Sequence, residues 1–204
     1  MTKKKIKIFI IALVLLFFAV AGYILLLSKP QITVTDVKVE ALSVYTEPTH
    51  PDYIEGRNPI ESIEYFIERY REYGDADVQV FLDGEGLPSD NPADYARVTL
   101  EFEVTNRSVF DCYCGYILVN DGEDLYEYIF VTDPMVETYK AEKMSTTGGG
   151  KWFFYIYTKG KSISEIEAFI RGIEFQFPFN NDILKNSNQY FKIDENVTFS
   201  FNGV

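Results

Sequence analysis

Histidine and tryptophan each occur once in the 204 residues, cysteine twice, and no aspartate or glutamate precedes Pro30. Each shortage removes a class of function. With one histidine, any Ser-His-Asp or Cys-His scheme has to run through His50, in a proline-flanked loop with Asp52 and Glu55 nearby. A lone loop histidine of this kind is expected to be exposed and without a catalytic role. Two cysteines, Cys112 and Cys114 in FDCYCGY, cannot build a disulfide framework. On a regular strand they share a face about 6.5 to 7 Å apart, beyond the roughly 3.5 to 4.5 Å between Cβ atoms that a bridge needs. Without a further cysteine or a nearby histidine they fall short of a zinc set. We read them as free thiols on the core side beside Tyr116 and Leu118, with a redox-active pair or a metal half-site as alternatives. The glycine run 148 to 150 leads into a strand pattern, with no Gly-Lys-Ser/Thr ending, so it is read as a chain break and not as a phosphate cradle. Internal repeats and coiled-coil heptads are absent.

The missing carboxylates point to what stands in their place. Residues 8 to 27 contain no charge and nothing more polar than Tyr23. A helix of that length spans roughly 30 Å, the thickness of a hydrocarbon core. Lys3, Lys4, Lys5 and Lys7 lie on one flank and only Lys29 on the other, which predicts a cytoplasmic N-terminus and an outward-facing remainder. A cleaved signal peptide is the alternative, because Ala19-Val20-Ala21 before Gly22 has the small-x-small form of a cleavage site. The apolar run continues through Tyr23, Ile24 and three leucines, which favours a retained span. Since no cysteine lies nearby, lipid attachment there is excluded.

The expected division is a basic tail at 1–7, a transmembrane helix at 8–27, a linker at 28–30 and one extracytoplasmic domain at 31–204. That last part holds all 31 acidic residues against the 14 basic ones left after the five early lysines, a net charge of −17. A field of this sign repels nucleic acid and favours solubility. At 47% hydrophobic and 16% aromatic residues, the chain is too apolar to be disordered.

Within the body, Ile32 and Val34 alternate in one phase and Val37 and Val39 in the other, predicting a strand with a bulge or a crossing between sheets. Asn58, Pro59 and Glu61 form a capping-box-like start to a helix near 59–73, with Ile60, Ile63, Phe66, Ile67, Tyr70 and Tyr73 on one face and Gly74 as its stop. DVQVFLD reads as a strand with Val78, Val80 and Leu82 on one side. The acidic loop that follows, with Asp83, Glu85, Asp90, Asn91 and Asp94, offers oxygen ligands for calcium but lacks the EF-hand order, so a solvated turn is expected. ARVTLEFEVTN alternates strictly, with Val98, Leu100, Phe102 and Val104 inward and the other face wet. Turns at 106–108 and 120–122 predict a meander into VFDCYCGYILVN and DLYEYIFV. Asn106 and Asn196 head Asn-x-Ser/Thr sequons and are read as turn residues. KWFFYIYT is aromatic on both faces, hence either covered twice or displaying one face. SISEIEAFIRG predicts a short second helix capped by Ser162 or Ser164, crossing to IEFQFPF, where Ile173, Phe175, Phe177 and Phe179 share a face and Pro178 marks an edge or an end. NVTFSFNGV closes the chain as a strand with Val197, Phe199 and Phe201 inward.

The long alternating strand ending in Val-Thr-Asn, a second strand and an Asp-Gly turn resemble the extracytoplasmic immunoglobulin-like β-sandwiches of uncharacterised bacterial single-pass membrane proteins, from roughly Ala96 to Phe179. The resemblance implies a mainly β, antiparallel sandwich that binds or spaces and does not catalyse. It supplies no catalytic, cofactor or metal residues. The inserted amphipathic helix and the C-terminal segment depart from the plain form. Tyr65, Tyr70 and Tyr73 of the helix, or Phe153, Tyr155 and Tyr157 of the strand, form a partner patch if they are exposed. The expected function is thus a membrane-anchored binding module with a protein partner at the cell surface, and no enzyme. The alternatives are a structural spacer or accessory subunit of a membrane complex, and a carboxylate-dependent envelope hydrolase.

Overall fold

The computed structural model describes residues 3–27, 29–73, 79–82, 86–115, 117–120, 130–132, 139–182 and 184–204. Helix α1 (Lys3–Leu27) contains a stretch, Ile6–Ile24, long and apolar enough to cross a membrane, and none of it is buried by the rest of the protein. A signal sequence has the same properties. Among the described residues, the remaining architecture is mostly β, in two sheets with two further helices.

The first sheet is built on β1 (Gln31–Ala41), β3 (Tyr95–Asn106) and β8 (Ser145–Tyr157), paired antiparallel in that spatial order. The phase change in β1 is a bulge. Register shifts between Val34 and Asp36, leaving Thr35 as the extra residue with its hydroxyl donating to the Glu101 carbonyl at 3.1 Å. As a result Ile32, Val34, Val37 and Val39 all point inward and are buried. Beyond β8 come β6 (Phe130–Thr132) and β2 (Val80–Phe81), while β11 (Phe199–Asn202) pairs parallel to the outer edge of β1. In β2, Phe81 enters the main core, Val80 and Leu82 face the other way, and Val78 lies outside the described residues.

The second sheet is organised on β9 (Phe175–Asn180), flanked by β10 (Ser187–Phe191) on one side and by β4 (Cys112–Cys114) and β5 (Leu118–Val119) on the other. Strand β7 (Tyr139–Ala141) pairs with the far edge of β4. One core lies between the sheets. Val98, Leu100, Trp152 and Phe154 from the first meet Cys112, Cys114, Phe175 and Phe177 from the second, with the Trp152 and Phe175 rings edge to face at 5.7 Å. Helix α3 (Ile163–Gly172) connects the sheets and adds Ile166 and Ile170 to the core. Its start is a full capping box between Ser162 and Glu165.

Several sequence expectations are corrected. Among the described residues the meander does not form, because β3 has β1 and β8 as neighbours and β4 belongs to the opposite sheet, while residues 121–129 of the expected turn and third strand lie outside the described residues. Gly148–Gly150 does not break the chain but lies within β8, at a register shift against Phe102 and Val104. Gly150 is required there, since a Cβ would stand 2.2 Å from the Phe102 ring. Pro178 marks no edge. Its strand is paired on both sides, and its carbonyl accepts from the Gly115 amide at 2.9 Å, in the gap between β4 and β5 where no ladder donor is needed. That gap resets the phase, so Ile117 and Val119 are buried while Leu118 is only half-buried. Tyr116 lies outside the described residues. Both cysteines are buried and unbridged. Asn106 is a fully buried turn residue, donating to the Phe110 and Ala141 carbonyls and accepting from the Ser108 amide.

Candidate functional site: a cleft under the inserted helix

The outward face of the first sheet divides in two. Its lower half is ionic, with Glu101 bound by Lys151 at 2.7 Å and approached by Lys38 at 3.8 Å. Its upper half is covered, contrary to the expectation of a wet face. After β1 a 3₁₀ turn (Leu42–Thr46) and the loop at 47–59 lead into α2 (Ile60–Tyr73), where the Asn58 side chain accepts from the Ile60 amide at 3.2 Å. Ile60, Ile63, Phe66 and Ile67 are buried on Leu42, Tyr95 and Tyr155, a second apolar cluster outside the main core. Phe66 stacks on Tyr155 at 6.3 Å.

Between the loop, α2 and the sheet lies a cleft of about 740 Å³. Its walls include Tyr45, Tyr53, Ile54 and Tyr65, and its floor is Arg97 and Tyr155, which are register partners on β3 and β8. Arg97 faces Glu40 across β1 in the same register. Its guanidinium lies 3.8 Å over the Phe153 ring and 5.7 Å from Tyr45, with Asp52 approaching at 3.7 Å. Among the described residues, no acceptor meets its buried Nε. The Tyr45 hydroxyl donates to Glu40 at 3.1 Å, and its pKa is raised above the usual value, first by burial and then by the Glu40 charge, against the pull of Arg97.

His50 is not the exposed loop residue that was expected. Its side chain is 12% exposed, its ring lies 4.3 Å from that of Tyr45, and its Nδ1 accepts the Asp52 amide at 3.1 Å. The acceptor role fixes the ring proton on Nε2, which faces Glu40 at 3.9 Å. Histidine thus ties the loop to Tyr45 of the cleft wall and to Glu40 of β1. The loop also carries Arg57, which donates to the Ser62 hydroxyl at 3.0 Å.

Of the aromatic residues singled out from sequence, the cleft unites Tyr65, 55% exposed at its rim, with Tyr155, buried beneath it. Tyr155 is therefore not displayed, because α2 covers it. Tyr70 is exposed, and the side chain of Tyr73 lies outside the described residues. Phe153 is half-buried under Arg97, and Tyr157 packs against Tyr95 at 5.3 Å. Arg97, Tyr45 and Tyr53 were not singled out. The signal for Arg97 was its phase, opposite the core residues and across from aromatic Tyr155, but reading it needs the strand pairing.

In the acidic loop, Asp94 accepts from Ser89 at 2.5 Å and from Lys159 at 3.0 Å. These contacts, Ser89 first, hold its carboxyl below the ordinary range. The neighbouring Tyr95 hydroxyl, pushed up to about 12 chiefly by burial, ties the same loop through the Ser89 backbone. Asp83 and Glu85 lie outside the described residues. Among the described residues, no group of three or more His, Cys, Asp or Glu side chains converges to hold a metal ion. Compared with known protein families and with curated proteins, the chain matches none.

Proposed function

We propose that this chain is a single-pass membrane protein whose extracytoplasmic body works by non-covalent binding, through the cleft between α2 and the first sheet. The carrying observation is the cleft itself. A loop and a helix inserted between two strands leave a space of about 740 Å³ over a stacked arginine, with an exposed tyrosine at its rim. Such concave, mostly apolar spaces with a few fixed polar groups are where ligands bind. The anchor is supported by the length and hydropathy of Ile6–Ile24 and by the lysines that precede it.

An immunoglobulin-like arrangement is part of the same reading. Strands β1-β3-β8-β6 lie in the spatial order A-B-E-D, and β4-β9-β10 in the order C-F-G. The departures are α2 and β2 inserted between β1 and β3, with β2 beside β6, then β11 beside β1, the helix α3 between β8 and β9, and β7, which joins the second sheet after β6 has joined the first.

A photo-crosslinking side chain at Tyr65 in intact cells tests the binding role. The expected result is an adduct that Arg97→Ala reduces severalfold and that the same group at exposed Glu103 does not form. No adduct, or equal adducts from both positions, refutes it. A tag after Val204 that resists protease until the cells are lysed would overturn the outward placement.

A further inference from the structure

We propose that the end of the body next to α1 docks on an anionic phospholipid leaflet, with Val109 and Met144 entering the interface and Lys29 and Arg107 holding a lipid phosphate. The proposal rests on reading α1 as a membrane span. Strand β1 starts at Gln31, four residues after Leu27, so its first residue lies within about 15 Å of the helix end. Register then fixes what else is at that end. Gln31 pairs with Thr105, and Thr105 with Thr146, which brings the turn after β3 and the turn between β7 and β8 to the same level.

Those two turns expose large apolar side chains, Val109 at 63% and Met144 at 71%. They form one surface, because the Met144 amide donates to the Ser108 carbonyl at 3.0 Å. Met144 has φ of 52°, a region costly for a residue with a side chain, so the backbone holds it outward at a price in strain.

The charge at this end is opposite to that of the body. Lys29, Arg107, Lys140, Lys143 and Lys185 stand against Asp111, Glu142 and Asp182, beside a domain of net charge −17. Asp111 is already occupied by Lys140 at 2.7 Å, and along β3 the nearest carboxylate, Glu103, lies two residues before Thr105. Lys29 and Arg107 form no ion pair among the described residues. They line a cleft of about 520 Å³ with Gln31, Thr105, Asn188 and Tyr190, whose amides and hydroxyls suit phosphate oxygens. Among the described residues, no donor meets the buried side-chain oxygen of Gln189 in the same lining. Anionic leaflets attract basic residues held against the membrane, and the acidic remainder is repelled, so the same field orients the body upright.

The test uses the full chain in nanodiscs of phosphatidylcholine alone or with phosphatidylglycerol. An environment-sensitive fluorophore is placed at Met144→Cys, and quenching by headgroup-labelled lipid is read. Cys112 and Cys114 are buried, so labelling is selective. Control labels sit at Val14→Cys in α1, read with acyl-chain-labelled lipid, and at Thr49→Cys in the distal loop. The Met144 label is expected to be quenched in anionic discs, and Lys29→Gln with Arg107→Gln to lower the docked-to-undocked ratio about thirtyfold. Unchanged Trp152 emission confirms that the double variant is folded. A Met144 label unquenched, or quenched equally in both discs, while the Val14 label is quenched, overturns the docking and leaves the anchor standing. An unquenched Val14 label overturns the anchor itself.

Discussion

Adding one methyl group at Gly150 tests the packing on which both sheets depend. A Cβ there would lie 2.2, 2.5 and 2.8 Å from three ring carbons of Phe102, where ordinary contact begins near 3.4 Å. Phe102 is 1% exposed and its backbone is fixed by pairing on both sides, so the ring cannot swing into solvent. The clash is therefore met by shifting the bulge in β8 or the core beneath it. Overpacking of this kind costs about 1–3 kcal/mol, and Gly150→Ala belongs at the upper end because both neighbours are held. In a body of this size that corresponds to a fall in Tm of roughly 2–4 °C per kcal/mol. Phe102→Leu removes the atoms that collide and by itself leaves a cavity costing about 1 kcal/mol. In the double variant the new methyl occupies that cavity, so the two changes should rescue each other, with a coupling of about 1 kcal/mol or more. Denaturant unfolding of the full chain, followed by the single tryptophan, Trp152, which is 1% exposed, measures all four states. Strict additivity, or a Gly150→Ala variant as stable as the parent, would refute the close approach.

Arg97→Ala should lower stability by about 1 kcal/mol through lost stacking on Phe153 and Tyr45, and Arg97→Lys should not restore it, as thermal melts will show. Asp94 has a folded pKa below its unfolded value, so its contribution is complete above the ordinary carboxylate range and disappears as pH falls through the folded value. Asp94→Asn should accordingly flatten the acid limb of a stability-against-pH curve below about pH 4. Ser162→Ala removes the capping hydroxyl of α3 and should cost about 1 kcal/mol in denaturant melts. Cys112 and Cys114 should resist a thiol reagent in the native state and react once the protein unfolds; rapid native labelling would contradict their burial.

Local patterns in the chain foretold local structure. The phase change from Val34 to Val37 announced the β1 bulge, Asn58 and Ser162 announced helix starts, and strict alternation at Val98–Val104 placed the core face of β3. Pairing was not legible in the same way. Neighbours along the chain invited a meander, whereas the sheets join β3 to β8, which begins 39 residues after β3 ends. The glycines of β8 looked like a break because nothing in their own window reveals the Phe102 ring. The cleft was hidden for the same reason. Its parts, Tyr45, Asp52, Tyr65, Arg97 and Tyr155, come from separate segments and become a site only when α2 settles over the sheet.

The parallel pairing of β11 with β1 has a mechanical meaning. The chain enters β1 from the α1 side and leaves β11 in the same direction, with Val37 to Glu40 opposite Phe199 to Asn202. A pull between α1 and Val204 therefore drags the two strands lengthwise past each other, so that every bond in the ladder takes strain together instead of parting one after another. Strands β1 and β11 thus form a shear clasp at the distal half of β1, and stretching this molecule from its two termini should demand far more force than peeling it from a sheet edge such as β10.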